Sequence, residues 1–162
     1  GSETIAASVD AADLHAVVNL DGVGRERTLK ALTHGSDDVR DLAREVVEQV
    51  DHPLSVDALP HPYSDHWPFL RQGVPALQLH SRPDDADGGH WERGWTHTRA
   101  DTRDKADVRT IREHAMLTTL LGRRLATADV SRVDPAMLQD ALADAEPSMR
   151  AAGVWPDEWD ET

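Results

Sequence analysis

The chain offers two side chains suited to holding a metal ion. A run ending in a carboxylate, Val17-Val18-Asn19-Leu20-Asp21-Gly22, lies far upstream of a loop carrying an imidazole, Trp95-Thr96-His97-Thr98-Arg99-Ala100-Asp101-Thr102. Carboxylate oxygen and imidazole nitrogen both bind zinc at about 2.0 to 2.2 Å. A carboxylate at the end of a strand and a histidine in a distant loop form half of a site that only the fold can assemble. Cys is absent, so neither a thiolate site nor a disulfide framework is available, and any metal is left to His and carboxylate. Between the two donors lies Ser64-Asp65-His66-Trp67-Pro68-Phe69. Each group also has an ordinary alternative. Asp21 can be a turn residue bonding its own backbone, and His97 a loop histidine partnered by Asp101. Ser64 or Asp65 can be a helix cap that leaves Trp67 and Phe69 in the core.

Strands and helices must hold these groups in place. Residues 15–20 form a short apolar run that stops at the Gly-rich turn Asp21-Gly22-Val23-Gly24, the pattern of a buried strand. Residues 27–33 alternate as a second strand, and their closeness in sequence favours antiparallel pairing with the first. Residues 3–13 can end a helix through Ile5, Ala6 and Val9. Ser36 or Asp37 caps a helix to about residue 50, with Val39, Leu42, Val46 and Val47 at helical spacing. Residues 54–59, between Pro53 and Pro60, read as a strand, residues 65–72 as a short helix ending at Gly73, and residues 75–79 as a further strand. Residues 81–101 make a long polar loop with His90, Trp91 and Trp95, and such loops commonly wall a site. Asp104 or Asp107 caps the longest helix, running to about residue 125. Strands alternating with helices imply an α/β layered domain. We divide the chain into a domain over residues 1–126 and an acidic helical or partly disordered appendage over 127–162. The appendage is expected to dock through Met137, Leu138, Leu142 and Trp155.

Thirty acidic residues against seventeen basic ones give a net charge of -13, which argues against nucleic acid and anionic membrane surfaces as partners. Of the acids 21 are Asp, and of the bases 15 are Arg, leaving Lys30 and Lys105 as the two lysines. A surface rich in short carboxylates and nearly without Lys suits molar salt, where the Debye length falls to about 3 Å, so a halophilic source is expected. The ordinary alternative is an acidic cytoplasmic protein. No stretch has the length and apolarity to span a bilayer.

Taken in order, Asn19-Leu20-Asp21, Ser64-Asp65-His66 with Phe69 and Gly73-Val74-Pro75-Ala76, and His97-Thr98-Arg99-Ala100-Asp101-Thr102 resemble the carboxyl-terminal half of the zinc aminopeptidases of family 28 of the metallopeptidases. The resemblance covers roughly residues 1–126. It implies a three-layer α/β/α sandwich with a mostly parallel mixed sheet, two zinc ions, and removal of amino-terminal residues from peptides. It implies that Asp21 and His97 are zinc ligands and that the element around His66 lies close to the site, so that His66 could face substrate or the tetrahedral intermediate with Asp65 fixing its tautomer. Asp101 either sits near the site or orients its loop. Trp91 and Trp95 could wall a pocket for an apolar amino-terminal side chain or serve as interface anchors.

The family's first half supplies a His-x-Asp element and a Glu-Glu pair, one Glu of which takes a proton from metal-bound water, and neither element occurs in this chain. The opening Gly1-Ser2-Glu3 is what remains if the sequence begins just past that pair, or it is a cloning scar. Two expectations follow. The chain is the carboxyl-terminal part of a zinc aminopeptidase, incomplete at its amino-terminal side, inactive and weakly metal-binding alone, and completed by a missing amino-terminal half or by self-association through the exposed sheet. Alternatively it is a non-catalytic module that keeps the peptidase fold for binding or assembly. A one-zinc relative such as glutaminyl cyclase also needs the absent Glu ligand.

Overall fold

The computed structural model describes residues 1–81 and 98–160. The expected site loop with His90, Trp91, Trp95 and His97 lies, apart from its ends, outside the described residues.

Four strands, β1 (Val17–Leu20), β2 (Leu29–Leu32), β3 (Leu54–Asp57) and β4 (Ala76–Ser81), form one sheet in the order β1-β4-β2-β3. β1 runs parallel to β4, with Val17 opposite Ala76, and β2 runs parallel to β3, with Leu29 opposite Leu54. β2 is antiparallel to β4, with Leu29 opposite Ser81. The mixed sheet is therefore as expected, but the partner of β2 is not: β4 lies between β1 and β2. All six residues of β4 are buried, and a strand covered on both faces belongs inside a sheet rather than at its edge.

Alternation sorts the side chains to two faces. On one face Leu77 and Leu79 of β4 join Leu29 and Ala31 of β2 beneath two helices, α2 (Asp37–Gln49) and α4 (Val108–Leu125). α2 starts where the Ser36 hydroxyl accepts a hydrogen bond from the Val39 amide, and it buries Val39, Leu42, Ala43 and Val46. α4 starts where Asp107 accepts from the Arg109 amide, and it buries Leu117, Leu121 and Leu125. Each such leucine withdraws enough apolar surface to favour folding by about 1.5 to 3 kcal/mol.

On the other face α3 (Trp67–Leu70), α5 (Pro135–Leu142), α6 (Glu146–Ala151) and a 3-10 turn at Asp157–Asp160 surround a second core of Trp67, Leu70, Ala76, Leu138, Met149 and Trp159. Met137 is partly buried there, and Leu142 and Trp155 are buried. The result is an α/β/α sandwich.

The amino-terminal helix is shorter than its pattern: α1 spans Ser2–Ala6, followed by a 3-10 turn at Ala11–Asp13. The Ser8 hydroxyl bonds the Ile5 carbonyl at 2.8 Å and Asp10 accepts from the Ala12 amide at 2.8 Å, local bonds that compete with a continuing helix. β1 is an edge strand, and its Val18 and Leu20 are 39% and 51% exposed. Among the described residues no helix is long and apolar enough to cross a membrane.

Candidate metal centre

β1 and β4 run in the same direction, and Asp21 follows β1 at their shared carboxyl end, where parallel strands present their functional groups. Its amide donates to the Leu79 carbonyl at 3.0 Å, continuing the ladder, while its carboxylate is exposed. The next turn is fixed firmly. Gly24 has φ +87°, and a Cβ there would stand 2.4 Å from Cγ1 of Ile111, so the turn packs against α4 only as glycine. The Gly24 amide donates to Nδ1 of buried His114, whose Nε2–H donates to the Arg27 carbonyl.

The Ser64 hydroxyl reaches across to Asp21. It donates to Oδ2 at 2.9 Å and accepts from the Asn19 side-chain amide at 2.8 Å. The same Asn19 amide donates to Nδ1 of His66 at 3.2 Å, which leaves the proton on Nε2, directed at the His61 carbonyl 2.9 Å away. Asn19 and the His61 carbonyl, rather than exposed Asp65, therefore fix the His66 tautomer. Ser64 spends its hydroxyl on Asp21 instead of on a cap for α3. His66 itself is fully buried with both ring nitrogens engaged, so it stands behind Asp21 and away from open solvent.

Two further histidines gather round it. His34 stacks on His66 with ring centroids 4.2 Å apart, and His61 lies 6.3 Å from His66 in a near-parallel arrangement. His34 is completely buried at φ +52°, a left-handed conformation unusual for any residue but glycine. Its Nδ1 accepts from the His61 amide at 3.2 Å, and the His61 ring pairs Nδ1 with Oε1 of Gln78 at 3.1 Å. Burial lowers the His34 imidazole well below the usual histidine range, and any charge on His66 or His61 lowers it further. Burial likewise lowers His61, against the pull of Gln78 and of the Asp21 carboxylate. His66 is pushed down to about 4 by burial first and by His61 second, with the His61 carbonyl, Asp21 and Asp65 opposing. At neutral pH all three rings are uncharged. Lys30 points to the same face of the sheet and pairs with Asp57 at 2.7 Å across β2 and β3, both side chains being mostly buried.

Sequence patterns singled out Asp21, Ser64 and His66, which do come together, and missed His34, His61, Gln78 and Lys30. A His-Gly at a strand-to-helix junction and a His-Pro just before Ser64 were the available signals. His97 lies outside the described residues. Asp101 is exposed, its amide donating to the Thr98 carbonyl at 3.1 Å in a local turn. Among the described residues no three His, Asp or Glu side chains are placed to hold a metal ion together. They supply one oriented carboxylate, which does not amount to a zinc site.

Residues 1–121 match the model of Peptidase family M28. The chain belongs to that family. Solved structures agree on the fold. The zinc aminopeptidase BSAP from Bacillus subtilis superposes with a TM-score of 0.63 at 21% identity, over 82% of this chain and 34% of that one. An aminopeptidase from Aneurinibacillus sp. strain AM-1 superposes with a TM-score of 0.56 at 22% identity, over 83% of this chain and 31% of that one. This M28 chain thus spans about a third of the length of the aminopeptidases it matches. No curated protein sequence matches it.

Proposed function

We propose that this M28 chain is the carboxyl-terminal part of a zinc-dependent aminopeptidase, in which Asp21 and His97 are two ligands of a centre completed by residues the chain lacks. The observation that carries this reading is the relay from Asn19 through Ser64 to Asp21. A hydroxyl that donates to one carboxylate oxygen fixes the rotamer and leaves the other oxygen for a cation, the arrangement by which outer groups orient metal ligands. Zinc bound there would supply a Lewis acid and an activated water. This chain's own residues orient the carboxylate and exclude water behind it. His66 serves as an anchor for Ser64 and Asn19. The chain alone is inactive, because one or two donors bind zinc weakly and no Glu-Glu pair is available to take a proton.

The polypeptide that completes the centre pairs with β1, an edge strand among the described residues, where exposed Val18 and Leu20 favour a covering partner. An Asp-rich, Lys-poor composition supports a halophilic setting.

Zinc content and leucine-anilide hydrolysis, measured in high salt, test the reading. The chain is compared with a version extended upstream to include Glu-Glu and His-x-Asp elements. Metal and turnover in the extended form alone are expected. An extended form that binds no zinc and hydrolyses nothing leaves the fold as a binding or assembly module.

A further inference from the structure

The family match ends at residue 121, yet the residues beyond it close the core behind the candidate site. Trp67 follows His66 directly, and its indole N–H donates to the Val154 carbonyl at 3.1 Å while Trp159 meets its ring edge-on at 5.8 Å. At the far end of α3 the Val133 amide donates to the Gly73 carbonyl at 3.0 Å. On the other flank, Met137 lies over Gly35, the residue after His34. A Cβ on Gly35 would stand 2.7 Å from the Met137 methyl, so the methionine fills the space a side chain would need. Asp38, just inside α2, accepts from the Ser131 amide at 2.8 Å. The outer turn is locked onto α6 by Arg150, which donates to Glu146 at 2.7 Å, pairs with Asp160, and lies 5.2 Å from the centre of the Trp155 ring.

The tail therefore grips both segments that carry the stacked pair: 133–160 hold α3 behind His66, and Met137 holds the left-handed turn behind His34. The helices of the opposite face pack on Leu77 and Leu79 and reach the pair through the start of α2, whose cap Ser36 lies two residues after His34. We propose that residues 133–160 are a brace which positions His34 and His66, and through Asn19 and Ser64 sets the direction of the Asp21 carboxylate. The meaning of that direction for catalysis rests on the aminopeptidase reading; the mechanical coupling does not.

The test uses the chain itself and nitrogen NMR of its imidazoles. The unsubstituted chain is expected to show His66 as a single tautomer protonated on Nε2. Trp67→Phe keeps an aromatic ring but removes the donor to Val154, and Met137→Ala empties the space above Gly35. Each is expected to move the His66 ring nitrogens toward values averaged over both tautomers. Val46→Ala, in α2 on the opposite face, is the control, compared at equal loss of melting temperature, and is expected to leave the His66 signals in place. Unchanged His66 signals in both tail variants overturn the proposal. So does an equal change in Val46→Ala, since the coupling would then be general loosening. Because no readout involves zinc or turnover, failure here is distinct from failure of the aminopeptidase reading.

Discussion

Ser64 is where a helix-bearing loop touches the carboxylate of another strand, and removing one oxygen there has a definite expected effect. In a protein extended to hold zinc, Ser64→Ala should weaken metal binding by about 10- to 100-fold through loss of the bond to Asp21. Competition against a chelator measures this, and unchanged affinity would remove the hydroxyl from the site. The buried histidines make a second prediction. His66 in the folded chain binds its proton only near pH 4, whereas unfolded it would do so near 6.5. Between those values the unfolded state holds the extra proton, so stability is full above about pH 6.5 and falls as pH drops toward about 4, by roughly 3 kcal/mol from this group. Urea unfolding at about pH 7 and pH 4.5 should show a smaller loss for His66→Asn than for the unsubstituted chain, and equal losses would contradict this. Asp21 was legible in the sequence because a strand running into Asp-Gly fixes where that carboxylate emerges. His34 and His61 were not, because which rings meet depends on paths that converge only after the sheet is assembled.

At the scale of elements the helices read well. Ser36 and Asp107 announce α2 and α4 by their capping chemistry, and the apolar spacing of each gives its buried face. Leu121→Ala, in the middle of that layer, should cost about 2 to 5 kcal/mol, and Ser36→Ala about 1 kcal/mol, both read as shifts in the urea midpoint at constant slope. A similar cost for the two would mean that the leucine site collapses to fill its cavity. Strand order was the harder matter. Adjacent runs in sequence argue for a hairpin between β1 and β2, but burial of the whole of β4 is worth more than a short connection, and β4 takes the centre. β3 stops at Asp57 and not at residue 59, since the Asp57 carboxylate turns to accept from the Leu59 amide at 3.0 Å.

The whole molecule carries a net charge of -13, and its acids are mostly short aspartates. Mutual repulsion among them opposes compaction at low ionic strength and is screened as salt is added. The melting temperature should therefore rise steadily with KCl from about 0.1 M to above 1 M, where the Debye length is near 3 Å. A flat profile would argue against a salt-adapted surface. The pattern of short acids was legible from composition alone, whereas the second core was only partly so: Leu138, Leu142 and Trp155 were singled out, but Met149 and Trp159 joined them only once the tail had folded back on α3. That fold-back sets Trp159 nearly perpendicular to both Trp67 and Trp155, with ring centres 5.8 and 5.0 Å away. Indoles so close and crossed share their excited states. Three of the chain's five tryptophans thus form a coupled chromophore, and the circular dichroism of that trio gives an unlabelled optical signal for whether the tail is seated.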